Sequence, residues 1–525
     1  MTKYSEHYWK LEKYKQNFEK LIERIKSTDN FEEKLDLAVY AAEYFVSHNT
    51  GYYTSSVLEK VFVDCAKKIK TDLSNIHYKK DSVLHVITMG YETGGHTRVV
   101  ERWIENAPSN QVHSVLQTTA ANIKLAVLEK NIKSKNGEFI VLENSLSLKE
   151  KAAKLREYAM NYEYIILHTH MEDPVPIIAF GTEEFTRPVF LYNHASHHPW
   201  IGKSIADLVL DIENNDSVTT EKRGITNTYF LGVPSKEISV SIPDKNKFKE
   251  KINFPSDKKI IVTCGTDIKY RTISGRSFAD YLSSIMDENT RCYVIGIPPE
   301  NREWRNAINR SGKDIILMGP ISFENGFLDY LKAADLYLDS YPLCGGTATI
   351  DAISSGTPAL SLKSVYPQFD YLTRTSAYCK TEKEFIDKAK RVLNDQNYAN
   401  ELFQELKNSL IEHQSIEVWN KKIEKLFETA PKFHKVKDLS NSVDYSESND
   451  LSVLCNTLID RNFLTLKDIK LLSDKDITEI IKYGNLYKKQ GIPFIFNILS
   501  YKKYCKKIKI IKLFGMTIYK YSKFV

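Results

Sequence analysis

The sequence predicts an α/β fold of two doubly wound, parallel-sheeted lobes, preceded by a helical region and followed by a C-terminal extension. Three observations predict it. Short apolar runs alternate with helical patterns from residue 83 onward, a polar connector interrupts the series at 241–259, and the alternation then restarts. Apolar strands separated by helices are the signature of βαβ units and a parallel sheet buried on both faces.

Residues 1–80 contain no clear strand. Leu35, Val39, Ala42 and Val46, then Val57, Val61 and Phe62, recur at helical spacing, which predicts a helical N-terminal region. The first strand series is VLHVITM (83–89), QVHSVLQ (111–117), EFIVLE (138–143), YIILHTH (164–170) and PVFLYNH (188–194), with a helix over 147–162. The second is IIVTC (260–264), CYVIGI (292–297), DIILMG (314–319), DLYLDS (335–340) and PALSL (358–362). Helices are expected between these at 275–287, 300–310, 324–333 and 347–355, and two or three more over 382–430. The expected division is therefore 1–80, a first lobe 81–240, a second lobe 241–430 and an extension 431–525. Ligands of doubly wound sheets sit at the carboxyl ends of the strands, so the cleft between the lobes is the expected site.

The chain has 73 Lys+Arg against 67 Asp+Glu, a formal net charge of +6. That balance is too mild for the concentrated basic face of a nucleic-acid binder. Seven cysteines with no CxxC pair read as free thiols of a reducing compartment. The polar N-terminus has no apolar signal region, and no run of about 18 apolar residues is present; a cytoplasmic location is expected.

The stretch DLYLDSYPLCGGTATIDAISSGTPALSL (335–362) carries most of the functional signal. A strand ends near Ser340, Gly345 and Gly346 allow close backbone approach, and Thr347 and Thr349 open a helix. Free N–H groups and the positive end of the dipole at such a helix start favour a diphosphate. Asp351, one turn in, is suited to accept from ribose hydroxyls.

PLCGGTATIDAISSGTP (342–358) resembles the donor site of GT-B glycosyltransferases, and most of all the O-GlcNAc transferases and bacterial protein N-glucosyltransferases. The resemblance implies two Rossmann-like lobes and a nucleotide-sugar donor, a UDP-sugar first among them, held as substrate with no cofactor and no bound metal. It implies that Cys344, Gly345, Gly346 and Thr347 hold the pyrophosphate and Asp351 the ribose. In IIVTCGTDIKYRTISG (260–275) it places Gly265, Thr266, Lys269 and Tyr270 at the donor, with Arg271 stabilising the departing diphosphate. A positioned cation suits that task; the family's Lys is Arg here, and Lys269 competes for the role. Gly296, Gly319 and Ser322 are expected to wall the nucleoside. The Glu-x7-Glu of retaining GT-B enzymes has Leu343 at its first position here, which points to inversion.

Seven of the 13 histidines fall between 96 and 198. YETGGHTR (91–98) follows a strand and opens a helix, so Gly94 and Gly95 can approach the donor phosphates and His96 the cleft. His194 and His198, in RPVFLYNHASHHPWIG (187–202), are further candidates for a general base, since imidazole titrates near working pH. His194-x-x-His197-His198 lacks the helical HExxH spacing of a zinc site.

Between 501 and 525 stand eight lysines and no acid, among Ile, Leu, Phe and Tyr. This tail is suited either to an anionic membrane surface or to a hairpin around Phe514-Gly515. The expected function is transfer of a sugar to a protein or cell-surface glycan, lipid-linked glycans included. A non-hydrolysing nucleotide-sugar epimerase and a non-catalytic scaffold with a degenerate nucleotide site are the alternatives.

Overall fold

The computed structural model describes residues 5–72, 74–213, 220–272, 276–323, 325–439, 442, 444, 446, 471–478, 511–513 and 516–518. Three helices come first: α1 (Ser5–Ser27), α2 (Phe31–Ser47) and α3 (Ser56–Ala66). The first lobe then runs β1 (Lys79–Ile87), α4 (Gly95–Asn106), β2 (Val112–Gln117), α5 (Ala126–Ser134), β3 (Phe139–Val141), α6 (Leu148–Ala159) and β4 (Tyr162–His168). It continues through α7 (Val175–Phe180), β5 (Val189–Asn193), β6 (Leu208–Asp211) and β7 (Thr228–Phe230).

The second lobe opens with α8 (Lys245–Lys251), β8 (Lys259–Cys264), α9 (Phe278–Ile285), β9 (Thr290–Ile295), α10 (Arg302–Ser311) and β10 (Ile315–Gly319). It goes on through α11 (Phe327–Ala333), β11 (Leu336–Leu338), α12 (Thr347–Ser354), β12 (Ala359–Leu362), α13 (Asp370–Thr373) and β13 (Tyr378–Cys379). Three helices follow: α14 (Glu382–Asn394), α15 (Gln396–Gln414) and α16 (Ile416–Thr429).

Both sheets are parallel and doubly wound, as the alternation of apolar runs implies. The first has the order β3-β2-β1-β4-β5-β6-β7 and the second β10-β9-β8-β11-β12-β13. In each, the winding reverses between the first and fourth strands, so β1/β4 and β8/β11 define two switch points whose loops leave the carboxyl edge. β6, β7 and β13, absent from the sequence reading, have only four, three and two residues.

The N-terminal helices belong to the first lobe's core. Glu59 of α3 is fully buried and accepts hydrogen bonds from the backbone N–H of Gly202, Lys203 and Ser204. Arg156 of α6, also buried, donates to the carbonyls of Ala66, Ile178 and Ala179. Two charged side chains thus tie the helical region to the sheet, each with the hydrogen bonds that a buried charge requires.

The chain crosses between lobes twice. One crossing is the segment after β7, the other the break between α15 and α16 at Ser415, whose hydroxyl caps α16. α16 lies back on the first lobe, with Trp419 edge-on to Trp103 at 5.5 Å and Phe427 against Tyr164 at 4.5 Å. The two crossings are tied together: Gln414 accepts from Val233 N–H at 3.2 Å through its side chain and from Ser235 N–H at 3.3 Å through its carbonyl.

Beyond α16 the described chain stays on the first lobe. His434 Nδ1 meets Asp207 at 2.8 Å, and Asp444 accepts from Ser56 N–H and Oγ. Of the basic tail, β14 (Ile511–Leu513) and β15 (Met516–Ile518) pair antiparallel; its remaining residues lie outside the described ones. No helix among the described residues is long and apolar enough to cross a membrane.

Candidate active site

Two glycine-led helix starts face each other across the cleft. Gly94, at φ 119°, precedes α4, and Gly346, at φ 60°, precedes α12. A Cβ on Gly95 would lie 3.1 Å from Thr347 Oγ1, so the first residue of each helix abuts the other. Positive φ at both caps is a conformation that glycine adopts at little cost. The N-terminal, positive dipole ends of two helices, one from each lobe, therefore come together at one place.

The glycine loop is fixed from beneath by Asp339, which the sequence reading did not single out. Its carboxylate, 1% exposed, accepts from Gly345 N–H at 2.6 Å, Thr349 Oγ1 at 2.9 Å and Ser361 Oγ at 3.1 Å. A Cβ on Gly345 would come within 2.8 Å of Asp339 Oδ1, so only glycine fits there. Burial pushes the Asp339 carboxyl up, against the pull of these donors and of Lys269.

Lys269 reaches the same loop, donating from Nζ to the carbonyl of Cys344 at 2.7 Å. It supplies the basic contact that is seen at the glycine loop. Arg271 sits beside Asp267 at 3.9 Å and lines a small pocket with Phe278, Glu303 and Trp304. Tyr270 turns into the core: its ring packs on Phe278 at 5.0 Å, and its hydroxyl pairs with Thr263 at 2.8 Å. Burial of an aromatic ring outweighs a place at the cleft for this residue.

The strand-end residues divide in the same way. A Cβ on Gly296 would meet the Gly265 carbonyl at 2.5 Å, so these two glycines let the loops after β8 and β9 touch. Thr266 is exposed at the turn's start. Gly319 N–H donates to the Ile297 carbonyl at 2.9 Å, tying the end of β10 to that of β9, and Ser322 Oγ accepts from Asn325 N–H at 3.2 Å, a local turn bond.

Asp351 is buried in an ion pair with Arg102 of α4, whose guanidinium also donates to the Pro234 carbonyl at 3.1 Å. In the structure an arginine on the facing helix engages this carboxylate at close range, as a charge-assisted pair between the lobes. Arg98, one turn earlier, pairs with Glu101 at 2.5 Å and lies over the Phe323 ring of the second lobe at 3.8 Å.

On the first lobe's side, imidazoles gather at the carboxyl edge. His96 and His194 have ring centroids 4.2 Å apart. Both nitrogens of His96 are buried beside the His168 backbone, although the residue as a whole keeps some exposure. Burial first, then His170, holds His96 down to about 3, so it is neutral at working pH. His197 is lowered to about 4 by burial and by Lys269, and its ring meets Tyr366 of the second lobe at 5.6 Å. His198 closes the turn after β5, where Arg223 binds its carbonyl at 2.5 Å.

Behind His194 runs a row that the sequence did not disclose. His168 Nδ1 lies 3.0 Å from His194 Nε2, His85 Nδ1 3.1 Å from His168 Nε2, and His113 Nδ1 3.0 Å from His85 Nε2. The nitrogens meet pairwise at hydrogen-bond distance, with no common point where a metal would sit. Among the described residues, no group of three or more His, Cys, Asp or Glu has the placement of a metal site.

By sequence, no family model and no curated protein matches the chain. By structure it is similar to Anabaena Alr3699/HepE, solved with UDP and glucose: TM-score 0.52, 13% identity, covering 66% of this chain and 99% of that one. A glycosyltransferase from Rickettsia africae has TM-score 0.52 at 12% identity, covering 67% and 98%. Sucrose-phosphate synthase from Thermosynechococcus elongatus has TM-score 0.50 at 12% identity, covering 66% and 98%. At such identities the likeness establishes the fold, two Rossmann-like lobes of GT-B type, and agrees with the sheet orders above.

Proposed function

We propose that this chain is a glycosyltransferase that takes a sugar from a nucleoside diphosphate donor, a UDP-sugar foremost, and transfers it to a hydroxyl or amide of a protein or glycan. The observation that carries this reading is the convergence of the α4 and α12 starts on one point, with Lys269 beside it. A diphosphate there meets backbone donors from both lobes and the ammonium of Lys269, held beside the loop by the Cys344 carbonyl. The UDP in the similar Anabaena structure supports the choice of nucleotide.

In this reading His194 takes the proton of the acceptor as its oxygen or nitrogen attacks the anomeric carbon. The bond from that carbon to the diphosphate breaks, and the two helix ends and Lys269 stabilise the charge left on the phosphate. His96, whose ring stands 4.2 Å from that of His194, orients acceptor or sugar. A single displacement with one base inverts the anomeric centre, and the positive charge at the phosphate comes from the protein without a metal.

The test is a thermal-shift titration of the full chain with UDP, GDP, CMP and dTDP sugars in the presence of EDTA. Saturation at about 100 times the dissociation constant adds about 2.7 kcal/mol, a clear rise in melting temperature. A rise with UDP-sugars that Lys269→Ala weakens is the expected result; no rise with any nucleotide would remove the donor-site reading.

A further inference from the structure

The histidine row has a fixed direction, set at the end remote from the cleft. His113 Nε2 lies 3.2 Å from Gln111 Oε1, and an amide oxygen can only accept. His113 therefore carries its proton on Nε2 and must accept at Nδ1 from His85 Nε2–H. By the same constraint His85 accepts from His168 Nε2–H, and His168 from His194 Nε2–H. His85, His113 and His168 are each 0% exposed, so water does not compete for these nitrogens. His194 is left with an unprotonated Nδ1, diverging from His168 and next to His96. No hydrogen bond to that Nδ1 occurs among the described residues.

We propose that this row is a tautomer-setting proton relay, fixing His194 as a general base that acts through Nδ1, with its polarity set by Gln111. The proposal rests on the glycosyl-transfer reading for the step it serves. There, the acceptor O–H bond breaks and its proton goes to His194 Nδ1. The Nε2 proton of His194 shifts toward His168 Nδ1, so the new positive charge is shared across that first hydrogen bond while the apolar middle of the row stays neutral. When products leave, the proton returns through Nδ1 to solvent, and each ring recovers its Nε2–H form. His194 is the catalytic residue; His168, His85, His113 and Gln111 are positioning residues.

The surroundings favour this arrangement. Trp103 stands edge-on to His85 at 5.2 Å and Tyr192 packs on His168 at 5.1 Å, which keeps the middle of the row apolar. The charged and titratable groups lie at its ends. Lys135 faces His113, and His96 and His170 face His194. Gln111 lines a pocket of about 290 Å³ that also holds Asp81, Glu163, Glu424 and Glu428.

The deciding experiment places a donor or an acceptor at residue 111. Imidazole 15N–1H correlation spectra at pH 8, on full-length protein labelled with 15N-histidine, report which nitrogen of His194 carries the proton. Wild type and Gln111→Glu are expected to show Nε2–H. Gln111→Lys, which donates to His113 Nε2, is expected to reverse the row and show Nδ1–H at His194. In turnover assays with UDP-sugar, the same lysine variant is expected to lose at least tenfold in kcat with the donor KM unchanged. Nδ1–H at His194 in wild type, or an unaltered tautomer in a folded Gln111→Lys protein, would overturn the relay. Should the lysine variant fail to fold, the wild-type tautomer alone decides. Tautomers as expected with no transfer to any acceptor would refute the glycosyl-transfer reading and leave the row standing.

Discussion

At the scale of single residues, the most consequential group is a carboxylate that touches no ligand. Asp339 holds one backbone N–H and two hydroxyls around the glycine loop, all of them buried. Asp339→Ala strands these donors, at about 1–3 kcal/mol for each that finds no substitute, and a total loss of about 3 kcal/mol is expected in urea unfolding. Asp339→Asn, which keeps one acceptor oxygen, is expected to lose less than half of that. Equal losses for the two variants would mean that charge, and not the number of acceptors, holds the loop. The residue was visible in DLYLDS only as the end of a strand. Nothing in a linear pattern marks which polar side chain at a strand end turns under the next loop. Lys269 and Arg271 illustrate the same limit, since two basic residues two positions apart in the loop after β8 reach different partners.

At the scale of elements, strands with continuous apolar runs were legible and the shortest were not. LVLD, TYF and YC carry too few residues for a run to show, and their pairing depends on neighbours already in place. The histidines were legible one by one, yet the row was not. It joins residues 28, 83 and 26 positions apart, and only the sheet order brings β2, β1, β4 and β5 side by side. His85 went unnoticed because it stands mid-strand, away from the loops where catalytic groups are sought.

That row has a consequence for stability. Burial lowers His96 and His113 to about 3, and His85, His168 and His194 well below their ordinary value. The folded state therefore binds fewer protons than the unfolded chain once pH drops below about 6.5. Stability is full above that value and falls as pH decreases, by as much as about 1.4 kcal/mol per pH unit for each histidine. Melting temperatures from pH 8 to pH 5 are expected to stay level to about 6.5 and then drop steeply. A flat profile to pH 5 would show that the row is already charged in the folded protein.

At the scale of the molecule, the lobes are joined by the buried Arg102–Asp351 pair directly behind the two helix starts. Neither residue predicts the other in the sequence, where they are 249 positions apart. Removing one partner leaves a buried charge without its counterion, so Arg102→Met is expected to cost about 3–5 kcal/mol, with Asp351→Leu similar. The double variant is expected to regain most of this, giving a coupling energy of at least about 2 kcal/mol in a chemical-denaturation cycle. Additive losses would mean that the pair is not shared between lobes in solution.

The paired crossings at Val233–Ser235 and Gln414–Ser415 bear on how the cleft can widen. Two strands of chain bound side by side at one edge behave as the pin of a door, and rotation about that pin displaces points in proportion to their distance from it. Arg102 of α4 is itself fastened to the Pro234 carbonyl in that pin, so the buried pair it makes with Asp351 sits near the axis, where a swing of the lobes moves atoms least, while the far rim of the cleft travels most.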